Sequence, residues 1–219
     1  MPSSRVLNTE VIFEVAVEAA KRINAPRREG GKREALVSVV FAAVSLEAFL
    51  NELIALAQDF ANYENAPPIT SAFAQLMAQL NRLSIVQRFN MAHWMLAGAP
   101  YDTNSQPFQA LTLLFQIRND LVHFKPDPLT EEGESKPTHT ALEKLRSKHI
   151  LNDSSAPESS RSWIQAVGTK AVGEWACNAT SMVAADLVSK LPPGAWRQAV
   201  EEVTRKIASV QFPAESQTN

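Results

Sequence analysis

Residues 35–57 read ALVSVVFAAVSLEAFLNELIALA, and the fold turns on what this run can be. It contains neither glycine nor proline and is too long for a strand. Val37 to Val44 is rich in β-branched residues, but it is embedded in the longer run. The first half is apolar nearly all round, which is the pattern of a helix buried on every side. The spacing predicts a central helix from about Lys32 to Ala61. The run is also long enough to cross a bilayer. Glu47, Asn51 and Glu52 lie within it, however, and an acidic group at the centre of a span is unfavourable by about 2.5–3.5 kcal/mol. A core helix of a soluble protein, with no membrane partner, is the expectation.

Outward from this run, the thirteen prolines fall mostly between apolar segments, near Pro26, Pro67-Pro68, Pro100, Pro126-Pro128, Pro157 and Pro192-Pro193. Proline interrupts helices, so this is the punctuation of an all-α chain. Further helices are predicted from about Thr9 to Ile23, Pro107 to Phe124, Ser162 to Lys190 and Ala195 to Val210. The stretch from Thr70 to Ala97 reads as one bent helix or two. Residues 126–160 are rich in Pro, Ser, Thr and charge, and read as a flexible insertion with one short helical candidate, Thr140 to His149. Residues 214–219 read as a disordered tail. The expected organisation is a single all-helical domain over 1–219, an up-and-down bundle with additional C-terminal helices.

Composition narrows the function. A chain of 219 residues with 45% hydrophobic content can bury a sizeable core. A net charge of −2 argues against a generally basic nucleic-acid binder, although a local cluster of Arg and Lys can still act on RNA. Cys177 is alone, which excludes an intrachain disulfide and fits a reducing cytoplasm. The start, from Met1 to Val6, lacks the apolar segment of a signal peptide. The four histidines and one cysteine show no metal-ligand spacing, and no Gly-rich phosphate loop is present. Neither a metal nor another cofactor is expected.

Chemistry is concentrated in Arg118-Asn119-Asp120-Leu121-Val122-His123, at the end of the helix that precedes Pro126. Arg118 has Leu114, Phe115, Leu121 and Val122 as same-face neighbours, so it is expected to point into the core. Asn119 and His123 continue a polar stripe through Thr112 and Gln116. Arg118 and His123 project about 140° apart on an ideal helix. A guanidinium in the core needs a buried acceptor. Glu47, between Ala43, Val44 and Leu50 with Asn51 one turn on, is the predicted partner of Arg118. The plain alternative is an ion pair that only fixes helix register.

An Arg, an adjoining polar Asn and a His after four residues, near the end of a core helix, resemble the motif of HEPN domains, which are α-helical bundles. Ser45 to Glu52 resembles the early core helix of bacterial HEPN-like proteins. The resemblance spans roughly Lys32 to Pro126. Spacing alone is weak evidence. Twelve arginines and four histidines in 219 residues give about 0.2 chance matches to Arg-x4-His, and Arg88 to His93 is a second match. There Phe89 replaces the Asn, and His93 reads as a core or interface histidine.

The resemblance implies a HEPN-like, metal-independent endoribonuclease of toxin, defence or stress type. It would act by 2′-hydroxyl attack on the adjacent phosphate, leaving a 2′,3′-cyclic phosphate and a 5′-hydroxyl. His123 would exchange a proton, Arg118 would stabilise the phosphorane, and Asn119 would orient the phosphate or the imidazole. Glu47 and Asn51 would support the site, and Lys125 would add positive potential at its rim. A homodimer pairing two motifs, RNA as substrate and an antitoxin protein are the implied partners. Lys125 stands where some HEPN toxins carry a modified tyrosine, so that control is not implied. The alternative expectation is a catalytically inactive HEPN-like module that binds RNA, a nucleotide or a protein.

Overall fold

The structure is a computed structural model that describes residues 7–23, 30–123, 139–151 and 163–213. Among these residues all regular structure is helical. The order is α1 (Thr9–Arg22), α2 (Gly30–Phe60), α3 (Pro68–Gln79), α4 (Ile85–Ala97), α5 (Gln106–Val122), α6 (Thr140–Ser147), α7 (Trp163–Val167), α8 (Lys170–Ser189) and α9 (Ala195–Ser209). The all-α class read from the sequence is what forms. Lys125, residues 126–138 and 152–160 of the expected insertion, and the tail 214–219 lie outside the described residues.

Local chemistry explains where the helices break. The 70–97 stretch is two helices because Ser84 opens α4 with a capping box: its side chain accepts from Gln87 N, and Gln87 Oε1 accepts from Ser84 N. Gly98 closes α4 at φ 78°, a left-handed conformation that glycine adopts without strain. The stretch expected as one helix from Ser162 to Lys190 is instead α7 and α8. Thr169 accepts from Val172 N and so caps the new helix, while Gly168 meets the start of α2, where a Cβ would lie 3.2–3.3 Å from Lys32.

The residues group into two compact units. The first comprises residues 1–12, 44–112 and 179–210. Its core is aromatic and aliphatic: Phe49 stacks on Phe89 at 6.4 Å, Phe73 meets Trp196 at 5.2 Å, and Leu46, Leu50, Met77, Leu111 and Val183 are fully buried. Glu52 caps α1 here, accepting from the backbone of Asn8 and Thr9. The second unit comprises residues 13–43, 113–178 and 211–219. Phe13, Ala35, Val39, Leu114, Ile117, Leu142, Leu145 and Trp163 fill its core. Ser38 crosses from α2 to α8, donating to Gly173 O at 3.0 Å.

α2 has the length and hydropathy of a membrane span, with a mean hydropathy of 1.9. Even so, Ala35, Val39, Leu46, Leu50 and Leu53 along it are at most 1% exposed, covered by protein. The helix within the expected insertion is likewise packed, with Ala141, Leu142, Leu145 and Leu151 buried.

Candidate functional site

The motif occupies the last turn of α5 in the second unit. His123 follows the helix but stays on its spiral, because its N–H still bonds Asn119 O at 2.8 Å. At about 100° per residue, Asn119, His123, Gln116 and Asp120 fall on one arc of about 100°. Asn119 and His123 are exposed and Asp120 is partly exposed. The imidazole of His123 forms no hydrogen bond or ion pair with the described residues.

Arg118 departs from expectation. It is partly exposed rather than sunk in the core, and its Nη1 donates to Asn119 Oδ1 at 2.9 Å. The cause is reach: a long side chain lays its stem along apolar neighbours and brings its charged head out to a polar partner. This contact brings the guanidinium to the side chain of Asn119, which shares its arc with His123.

The predicted partners on α2 belong to the first unit. Asn51 accepts from Arg88 Nη2 at 2.9 Å, within the first unit, and its support of Arg118 stays an expectation. It serves the second Arg-x4-His match, the one discounted on sequence. Glu47 is partly buried and belongs to the first unit, whereas Arg118 belongs to the second, so their pairing stays an expectation. Lys125, expected at the rim, is not among the described residues. Lys144 of α6 brings a cation to this face instead, donating to Gln116 Oε1 at 2.7 Å.

Two side-chain clusters escaped the sequence reading. In the second unit, His139 opens α6: its Nδ1 accepts from Ala141 N at 3.3 Å and its ring stacks on Trp163 at 4.2 Å and 12°. With Nδ1 accepting, the ring hydrogen of the neutral imidazole sits on Nε2, which lies 3.5 Å from Asp120 Oδ2. α6 thus meets the polar arc of α5 at Asp120 and Gln116, beside the motif. The His139 position, a residue before a short amphipathic helix, was readable as a cap; its partner 19 positions earlier in the chain was not.

The other cluster lies in the first unit. His93 Nδ1 donates to Ala99 O at 2.8 Å, its ring stacks on Tyr101 at 3.9 Å, and its Nε2 is 3.9 Å from Asp186 Oδ2. Burial first, and then the nearby Asp186 carboxylate, push the Tyr101 hydroxyl far above the ordinary tyrosine range. Asp186 also lies 3.6 Å from Lys190. The short loop after α4 is pinned by these contacts and by Asn90 Oδ1, which accepts from Tyr101 N. His93 is partly buried, its ring held by these contacts. No group of three or more His, Cys, Asp or Glu residues suited to a metal ion occurs among the described residues. No family model, curated protein or solved structure matches this chain.

Proposed function

We propose that the chain is a HEPN-like, metal-independent endoribonuclease that cleaves RNA by 2′-hydroxyl attack on the adjacent phosphodiester. One observation carries the reading: Arg118 Nη1 bonds Asn119 Oδ1 at 2.9 Å, which gathers a guanidinium, an amide and, one turn on, an exposed imidazole on one solvent-facing arc. A phosphorane intermediate concentrates negative charge on its oxygens. Arg118 offers planar, directional donors to that charge, and Asn119 offers its amide N–H. His123 supplies the imidazole that exchanges a proton with the reacting oxygens. Lys144 adds positive potential at the edge of the arc. A homodimer that pairs two such arcs, and an antitoxin that covers them, belong to the same reading.

The test incubates purified protein with mixed RNA in EDTA and compares wild type with His123→Ala. Cleavage by wild type that leaves 2′,3′-cyclic phosphate ends, lost in the variant, supports the reading. Equal cleavage by both proteins, or none by either, removes it. A second reading is a catalytically silent HEPN-like binding module. It is favoured by the use that α6 makes of the same arc, since His139 and Lys144 engage Asp120 and Gln116 as a docking surface would. RNA retention without cleavage in the same experiment would support it.

A further inference from the structure

Cleavage of this kind moves two protons, one off the 2′-hydroxyl and one onto the departing 5′-oxygen. His123 accounts for one of them. We infer that Asp120 is the proton acceptor of the same site, held in place by His139, so that each chain of the proposed pair carries both proton-transfer groups itself. This rests on the endoribonuclease reading above.

Three observations carry it. Asp120 stands on the same arc of α5 as Asn119 and His123, one turn before the imidazole, so all three reach the same stretch of solvent. Its side chain keeps 35% of its exposure, enough for a substrate hydroxyl to reach the carboxylate. One oxygen, Oδ2, lies 3.5 Å from His139 Nε2, and that imidazole is itself fixed on both sides, by the Trp163 ring and by Ala141 N. A carboxylate whose orientation is set by a second residue, itself set by a third, is how a base is held ready before substrate arrives. Both ring nitrogens of His139 face protein groups, Ala141 N and the Asp120 carboxylate. His139 is therefore a positioning residue, and the carboxylate is the acceptor.

The step balances. Asp120 takes the proton of the 2′-hydroxyl as the bond from O2′ to phosphorus forms. The bond from phosphorus to O5′ breaks, and the imidazolium of His123 gives its proton to O5′. The products are the 2′,3′-cyclic phosphate and the 5′-hydroxyl end, with Asp120 protonated and His123 neutral, and both are reset by exchange with water. Arg118 offsets the repulsion between the Asp120 carboxylate and the phosphate.

A substrate pair separates the roles. In a dinucleotide with sulfur in place of the bridging 5′-oxygen, the leaving group departs without a proton, so only the acceptor still matters. For the full-length protein, Asp120→Asn is expected to slow cleavage of both linkages by about 10²–10⁴-fold. His123→Ala should slow the ordinary linkage and recover on the sulfur linkage. His139→Asn retains a capping acceptor for α6. It should lower kcat with KM unchanged, a split that the loss of a cap alone would not produce. Asp120→Asn cleaving like wild type overturns the assignment while leaving the nuclease intact. So does recovery of Asp120→Asn on the sulfur linkage. A wild-type protein inert on both linkages overturns the nuclease reading and this one with it.

Discussion

Alkaline solution should destabilise the second unit through a single thiol. Cys177 is buried on α8, with Ser38 Oγ 3.4 Å from its sulfur. Burial pushes its pKa up from 9.0 to about 11, against a smaller lowering by the Ser38 contact and with a further rise from Glu174. A raised folded-state value means that the stability advantage is complete below the unfolded value and disappears as pH rises through the folded one. The window therefore runs from about pH 9 to about pH 11. At about pH 8 both states keep the proton and the thiol adds no slope. At about pH 10.5 the unfolded chain has ionised while most of the folded chain has not, a loss of about 2 kcal/mol. Urea unfolding at these two pH values, for wild type and Cys177→Ala, isolates the effect because every other titrating group is common to both proteins. The variant should carry a constant offset from its cavity and fall less steeply by that amount. Ser38 keeps its bond to Gly173 O in the variant, so the packing around the site is otherwise retained. Equal pH dependence in the two proteins would show that the thiol is not shielded as the structure has it.

Two further outcomes test the backbone and the packing. Gly98→Ala adds a Cβ that meets nothing within 4 Å, yet it holds a φ of 78°, so it should lose about 1–2 kcal/mol from left-handed strain alone. Unchanged unfolding would mean that the end of α4 can relax away from that conformation. Leu145→Ala removes a fully buried side chain from α6 and should lose about 2–5 kcal/mol, together with faster amide exchange across 139–151. Unaltered exchange there would contradict the close seating of α6.

The helices were legible because their signals are local. Apolar periodicity and proline placement marked α1, α2, α5 and α9 to within a few residues, and Thr140 to His149 anticipated α6. The undecided 70–97 stretch could have been resolved from Ser84-Ile85-Val86-Gln87, since Ser and Gln at that spacing form a capping box. Gly168-Thr169 is a similar clue to the start of α8, masked by the unbroken apolar rhythm of the flanking sequence. Side-chain partners were less accessible. Glu47 and Asn51 lie one turn apart and look alike from the sequence, yet Asn51 is taken by Arg88, and only the packing of α4 decides that. The burial of Arg118 was judged from its neighbours on the helix, which leaves out the length of its own stem. His139 and Asp120 meet because α6 folds back onto α5, a pairing that no short spacing encodes.

Gly168 has a consequence for any future comparison with relatives. A side chain there would press on the Cα and carbonyl oxygen of Lys32 as well as on its Cβ, and main chain yields far less readily than the end of a flexible group. Selection should therefore favour glycine at that position for steric reasons alone. Invariance at Gly168 would then report packing against α2 rather than chemistry.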